Sequence, residues 1–363
     1  EIASCLVGSE MCIRDRNKDI QYTLYEIATN KLGFLPDDKI NIGLIAIDNH
    51  TAGILGIFGN RTANKKTINN VLVKRHMAST MKPLIDYLPY FEKTTASPGE
   101  VVIDEEYNYS DGTSLKNWDS IYKGAISLRQ ALRESRNIPA LKIFKKTSKE
   151  TKIETLSRLG LTVPNNLYEA DAIGCGNGLY SLFEISNAYL AFANNGKFKK
   201  ASYILNDDPF LQVIKPSSAF FINSILHDVF SKSKFVPKNT YMMVKTGQTN
   251  YDKRTALKYN IPSNATKESF VISYTKDITF GCYVGYDKID STSYLDRIKT
   301  QIPRTIMAYF MNKFQTNVGS PDTPSNIEKQ KCIIKDNVLY LDESGIYELS
   351  LIHISEPTRQ EAI

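Results

Sequence analysis

The stretch INIGLIAIDNHTAGILGIFGN, Ile40 to Asn60, decides the fold. Two apolar runs of strand length flank a short polar turn at Asn49, His50 and Thr51, the pattern of a β-hairpin. Strand texture returns only after Thr240, as YMMVKTG, ESFVISYT and ITFGCYVGYD, the last two joined across Lys276 and Asp277. The region between reads as helices: SLRQALRESRN, PALKIFKKTSKETKIETLSRLG, SLFEISNAYLAFANNG and PSSAFFINSILHDVF, several ending in Gly or Asn as helices tend to. Two early and three late strands around a helical middle predict an α+β fold. One antiparallel sheet of about five strands is built from both ends of the chain and flanked by helices, with a helical lobe beside it.

With 363 residues, 42% hydrophobic and 23% charged, the chain can bury a sizeable core in one large domain or two smaller ones. The net charge of +6 suits a carboxylate-bearing partner, and the scatter of Lys and Arg argues against nucleic acid. No apolar run reaches the roughly 18 to 20 residues of a membrane helix, and the first residues do not read as an export signal. The five cysteines, at 5, 12, 175, 282 and 332, form no CxxC or metal spacing with the four histidines. They read as core or incidental residues, with no metal site expected.

Both ends look foreign. VGSEMCIRDR, Val7 to Arg16, and LSLIHISEPT, Leu349 to Thr358, can be translated from one short DNA stretch and its reverse complement. Residues 1–16 and 349–363 are therefore set aside as adapter-derived. The main domain is expected over 17–312, and a linker with a small β hairpin, KCIIKDNVLYLDESGIYEL, over 313–348.

The chemistry starts in HMASTMKPLIDYLPYF, His76 to Phe91. Ser79 stands three residues before Lys82, which on a helix puts hydroxyl and amine on one face. A Ser before an apolar run is also an ordinary N-cap, and SxxK recurs at Ser231/Lys234 and Ser273/Lys276. Only Ser79 opens what reads as an amphipathic helix, whose first amides would favour an oxyanion. Ser135, Arg136 and Asn137 form SxN at the end of a helical run, where Ser and Asn are common turn residues. Lys245, Thr246 and Gly247 form KTG at a late strand, where Gly permits close approach. His76 reads as bland rather than as a partner of Ser79, and Asp104, Glu105 and Glu106 as a solvated acidic loop.

The set is more specific than its members. SxxK, SxN and KTG follow in order at separations of 56 (135 minus 79) and 110 (245 minus 135) residues. That is the triplet of serine penicillin-binding proteins and related β-lactamases. From about Asp19 to Met311 the chain resembles the transpeptidase domain of a class A penicillin-binding protein. ASTMKP is similar to the family's GSTFKP, LRQALRESRNIPALKI to its ALxxSxNIPA block, SLFEISNAYLAFANNG to its helix ending in FANGG. VKTGQTN and FGCYVGYD are similar to its KTGTTN and VGYD strands. Thr249 and Asn250 favour class A over class B, and Gln248 departs from the usual Thr.

The resemblance implies a peptidoglycan D,D-transpeptidase. Ser79 would attack the penultimate carbonyl of a D-Ala-D-Ala stem peptide, with Lys82 as base, and a neighbouring stem amine would take the acyl group. Asn137 would hold Lys82 and the substrate amide, and Ser135 would relay a proton. Lys245, Thr246 and Thr249 would hold the substrate carboxylate, with Gly247 allowing approach, and the amides of Ser79 and Gln248 would bind the oxyanion. A neutral Lys82 is expected, disfavoured as a cation by Lys245 and the helix N-terminus. The implied setting is the bacterial cell envelope, outside the cytoplasmic membrane, with β-lactams as acylating ligands. No cofactor is called for, and a glycosyltransferase domain and membrane anchor would lie upstream. The competing readings are a D,D-carboxypeptidase or β-lactamase on the same fold, and an inactive scaffold or β-lactam sensor.

Overall fold

The computed structural model describes residues 17–61, 68–204, 207–231, 233–263, 265–335, 338–341 and 347–352. Five strands form the central antiparallel sheet: β1 (Ile40–Asp48), β2 (Ile54–Phe58), β3 (Met243–Asn250), β4 (Thr266–Tyr274) and β5 (Ile278–Tyr286). Their order is β2-β1-β5-β4-β3, as the hairpin and the late strands predict. The two ends of the chain meet where β1 pairs with β5, from Ile40 opposite Tyr286 to Asp48 opposite Ile278.

Both faces of this sheet are covered, which explains why β1 and β5 read as continuous apolar runs instead of alternating with polar residues. On one face, Ile42, Leu44 and Ala46 of β1 and Phe280, Cys282 and Val284 of β5 pack against two helices. These are α1 (Lys18–Ala28) and α9 (Ile302–Phe314). Phe280 stacks on Phe310 of α9 with centroids 4.4 Å apart and planes at 17°. On the other face, Ile45, Ile47, Phe270, Ile272 and Tyr274 join the core of the helical lobe. That lobe contains α2 (Leu88–Lys93), α3 (Leu128–Arg133), α4 (Asn137–Lys146), α5 (Lys149–Arg158), α6 (Leu182–Ala193) and α7 (Pro216–Asp228). A short α8 (Lys253–Tyr259) lies between β3 and β4.

Three elements differ from expectation. The run from Pro139 to Gly160 is two helices, because Ser148 caps a new one by accepting from the Thr151 amide. The acidic run is only in part a solvated loop. Asp104 ends a short strand and is fully buried beside Arg136, whereas Glu105, which pairs with Lys142 at 2.6 Å, and Glu106 are exposed as expected. The C-terminal hairpin is a three-stranded sheet with β6 (Ile327–Lys335) between β7 (Val338–Leu341) and β8 (Tyr347–Ile352). Its last strand runs into the stretch set aside above, because LSLI has the alternation to pair with β6 whatever its origin. Residues 1–16 and 353–363 lie outside the described residues.

Phe310 closes the sheet's outer face with no exposed surface of its own. Replacing it with Ala is expected to cost roughly 3–5 kcal/mol, read as a lower urea midpoint with an unchanged slope.

Candidate active site

The segment that carries Ser79 and Lys82 departs from a regular helix. Ala78–Thr80 is a 3-10 turn, Pro83–Tyr87 a π-turn, and α2 starts at Leu88. The widened turn, in which the Leu88 amide reaches back to the Pro83 carbonyl, makes room for Pro89. In an α-helix the Pro89 ring would meet the carbonyl four residues back. The expected amphipathic face is absent, since every residue from Thr80 to Phe91 is buried. The segment passes through the lobe's core instead of lying on its surface.

Three contacts fix the turn. Ala78 sits at φ +49°, in the left-handed region that glycine favours. Its amide donates to the Gly174 carbonyl at 3.1 Å. Tyr189 of α6, fully buried, donates its hydroxyl to the Thr80 carbonyl at 2.8 Å. Gly247 of β3 lies against the same turn, where a Cβ would come within 2.9 Å of the Met77 carbonyl oxygen and 3.1 Å of the Thr80 methyl. The first and third motifs are thus in contact.

The second motif reaches them through a helix end. α3 closes with the Ser135 amide on the Leu132 carbonyl and the Arg136 amide on the Ala131 carbonyl, while Ser135 takes φ +57°. This is a Schellman cap with serine where glycine is usual. The reversal presents the Ser135 and Arg136 carbonyls and the Asn137 side chain to Lys82. Lys82 Nζ donates to Ser135 O at 2.7 Å, Arg136 O at 3.2 Å and Asn137 Oδ1 at 2.7 Å, and lies 3.5 Å from Ser135 Oγ. Lys245 Nζ donates to that same hydroxyl at 2.8 Å and to Thr246 O at 3.0 Å. Ser135 Oγ therefore stands between two amines.

Both amines are buried, with Lys82 showing no exposed surface and Lys245 about 2%. Burial pulls Lys82 down to about 7, Arg136 adding to the shift while Asp86 and Cys175 oppose it. Burial, then Lys82 and Arg304, holds Lys245 well below its ordinary value. The expected lowering of Lys82 has desolvation as its main cause, not a neighbouring cation. The three-residue turn is too short to carry much of a helix dipole.

Ser79 is half-buried at the mouth of this group, and neither its hydroxyl nor its amide has a hydrogen-bond partner among the described residues. His76 makes no hydrogen bond to it, and its buried Nδ1 has no partner among the described residues. The other two SxxK pairs do not form sites. Ser273 is fully buried while Lys276 is exposed, and Ser231 and Lys234 both lie in solvent. On β3, Thr246 is half-buried and Gln248 exposed. Thr249 is turned inward, about 6% exposed, with its hydroxyl donated to Glu268 Oε2 at 2.9 Å. Its register partner across the sheet is that glutamate, and alternation along the strand sets Thr249 on the face that also carries Lys245 and Gly247.

Sequence reasoning missed the residues that hold the second motif. Arg136, about 1% exposed, pairs with Asp119 at 2.6 Å, Glu134 at 3.3 Å and Asp104 at 3.5 Å. Asn117 donates to Asp104 at 2.7 Å and accepts from the Asn137 amide at 2.8 Å. It also missed Cys175, which has surface exposure yet lies close enough to Lys82 to interact with it. Desolvation pushes that thiol up to about 11.

Comparison with known proteins bears on the family and the fold. Residues 42–308 match the family model "Penicillin binding protein transpeptidase domain". Penicillin-binding protein 1A/1B of Bacillus subtilis is 31% identical over 273 residues, covering 70% of this chain and 30% of the relative. Penicillin-binding protein 1A of Streptococcus oralis is 28% identical over 298 residues, covering 74% and 46%. The chain thus spans less than half the length of these relatives. Among solved structures, the penicillin-binding protein PonA1 of Mycobacterium tuberculosis has a TM-score of 0.70 at 15% identity, over 85% of this chain and 86% of that one. Penicillin-binding protein 1A of Haemophilus influenzae has 0.69 at 20% identity, over 89% and 55%. At such identities the structural likeness shows the fold.

The contact at Gly247 supplies a test of the packing between turn and strand. Gly247→Ala is expected to cost roughly 1–3 kcal/mol by overpacking, measured by urea denaturation.

Proposed function

The chain belongs to the penicillin-binding protein transpeptidase family, and on that premise we propose that Ser79 is the nucleophile of a peptidoglycan D,D-transpeptidase. The observation that carries this reading is the hydrogen-bonded line Lys82, Ser135 Oγ, Lys245 beside an unengaged Ser79 hydroxyl. Serine is a weak nucleophile until a base takes its proton. An amine pulled down to about 7 by burial is in part neutral at physiological pH and can serve. In the resting site Lys82 faces three acceptors, which favour its ammonium form, so burial and hydrogen bonding hold both forms in balance near neutrality.

Ser79 Oγ attacks the penultimate carbonyl of a D-Ala-D-Ala stem as its proton passes to Lys82. The resulting oxyanion is held by the Ser79 and Gln248 amides, a type of donor worth roughly 2.7–4 kcal/mol each. The proton then travels through Ser135 Oγ to the leaving amine, and D-Ala departs, leaving an ester on Ser79. A stem amine from a neighbouring strand attacks the ester, returns the proton by the same path and frees Ser79. The donor's terminal carboxylate lies against Lys245, Thr246 and Thr249, and its charge favours the protonated form of Lys245 that burial alone resists. Asn137 keeps Lys82 in place through Oδ1, while one Nδ2 hydrogen is held by the Lys116 carbonyl.

The reading extends to β-lactams, which acylate the same serine, and to an extracytoplasmic cell-wall setting beside a glycosyltransferase domain of the full-length protein. Release of the acyl group to water would instead make a carboxypeptidase or a β-lactamase.

A fluorescent penicillin is expected to label the parent chain stoichiometrically and Ser79→Ala not at all. Absence of label on the parent would sink the enzyme and sensor readings together. With a donor stem peptide and an acceptor amine, cross-linked product is expected to exceed free tetrapeptide, as mass spectrometry would read. Because the base acts when neutral, the acylation rate is expected to rise with pH through about 7 and level off above it, as a pH series of labelling rates measures.

A further inference from the structure

The two amides assigned to the oxyanion come from different parts of the chain, and one carboxylate touches both parts. Gln248 lies on β3, an edge strand of the sheet, and Ser79 on the turn that packs against Gly247 of that strand. Glu268 of β4 is about 7% exposed and serves two partners. Its Oε2 accepts from the hydroxyl of Thr249, the residue after Gln248, at 2.9 Å. Its Oε1 lies 3.8 Å from Nε of Arg75, which stands shortly before Ser79 in the chain.

Arg75 is built into the sheet's surroundings. Its guanidinium carbon lies 3.9 Å from the centre of the Tyr283 ring on β5, and Nη2 donates to Asn70 Oδ1 at 2.9 Å. Its backbone exchanges two hydrogen bonds with Tyr180, at 2.9 and 3.0 Å. Nε and Nη1 are buried without a hydrogen-bond partner, and Glu268 is the one ion-pair partner of Arg75, both among the described residues. A buried guanidinium so thinly hydrogen-bonded needs a counter-charge. Between Arg75 and Ser79 the chain is closed by the Ala78 amide on the Gly174 carbonyl and the Thr80 amide on the Met77 carbonyl, so a shift at Arg75 is passed on to the Ser79 amide. On the other side, one planar peptide unit joins Gln248 to Thr249.

We propose that Glu268 and Arg75 are positioning residues for the oxyanion hole, a charge pair that sets the separation of the Ser79 and Gln248 amides by tying Thr249 and Arg75 to one carboxylate. This rests on the reading of those two amides as the oxyanion hole of Ser79. The contact at Gly247 limits how closely strand and turn approach, but a residue without a side chain supplies little attraction to keep them together. The carboxylate supplies it, from the neighbouring strand. Two donors stabilise one oxygen only while both stay within about 2.7–3.1 Å of it. Without the pair, strand and turn can drift apart, weakening the hold on the oxyanion while the contacts that bind the rest of the ligand remain.

The test compares the parent chain with Glu268→Gln, Arg75→Met and the double variant, with thermal melts to confirm folding. Two quantities are read: the second-order rate of labelling by a fluorescent penicillin, and the affinity for phenylboronic acid, measured as protection from that label. The boron takes the serine oxygen and forms a tetrahedral anion with an oxygen in the hole, so its binding reports on the hole directly. Glu268→Gln keeps the shape and an acceptor for Thr249 but removes the charge. Each single variant is expected to lose about tenfold in both quantities, less than the roughly 10²–10³ of deleting one donor outright. The double variant should lose no more than the worse single one, because both changes break the same link. Unchanged rates in the folded variants, boronate affinity that holds while labelling slows, or losses that multiply in the double variant would overturn the proposal. If a single variant fails to fold through its orphaned charge, the double variant, which carries none, decides by the same two readings. A labelled parent whose variants match it defeats this inference alone, whereas an unlabelled parent defeats it together with the mechanism it rests on.

Discussion

The arrangement depends on making a home for a buried amine. Lys82 is sealed from solvent on a segment that passes through the core, and an amine there needs acceptors on several sides. The helical lobe supplies them from one sharp reversal, two carbonyls and an amide oxygen arriving together because Ser135 adopts a left-handed conformation. Everything around that reversal serves to hold it. The Schellman bonds close α3, Asn117 clasps the start of α4, and three carboxylates surround the buried Arg136. Arg136 acts twice, anchoring the turn and adding a repulsion that weakens the proton on Lys82.

The two left-handed residues at the site, Ala78 and Ser135, carry strain of order 1–3 kcal/mol each where such conformations are forced on non-glycine residues. Both stand at points where the chain must turn abruptly to aim a reactive group, one just before Ser79 and one beside Lys82. The strain is compensated by packing at some distance, through Gly174 against the Ala78 backbone and Tyr189 under Thr80. Gly174 has to be glycine, because it combines φ +72° with a would-be Cβ position 2.0 Å from the Ala78 oxygen.

The sheet was legible because its strands are short apolar runs with turn residues between them, and their split between the chain's two ends left few ways to pair them. Ser79, Lys82, Ser135, Asn137 and Lys245 were legible as a spaced set, although none was convincing alone. Other features were hidden for physical reasons. The π-turn depends on how Pro89 is accommodated, which local propensity does not express. Asp104 looks like surface charge in the sequence and is buried only because Arg136 arrives from elsewhere in the chain. The hydrogen bond from Thr249 to Glu268 gave no sign in the sequence, because that glutamate arrives on the neighbouring strand. Cys175 gave no signal, since its nearness to Lys82 is created by a loop nearly a hundred residues downstream.

The pairing of β1 with β5 also constrains how the molecule comes into being. Ile40 meets Tyr286, so the central seam of the sheet closes a loop containing the whole helical lobe. Loop closure on that scale is slow and entropically unfavourable, and contacts so distant along the chain form late in folding. During synthesis the lobe can collapse around its local helices while β1 and β2 wait, their apolar faces open, for strands not yet translated. The edge strand bearing Lys245 joins through β4, so the cluster of Lys82, Ser135 and Lys245 would be among the last parts to assemble. Any chain released before β5 emerges would expose an unpaired, aggregation-prone hairpin and lack that cluster.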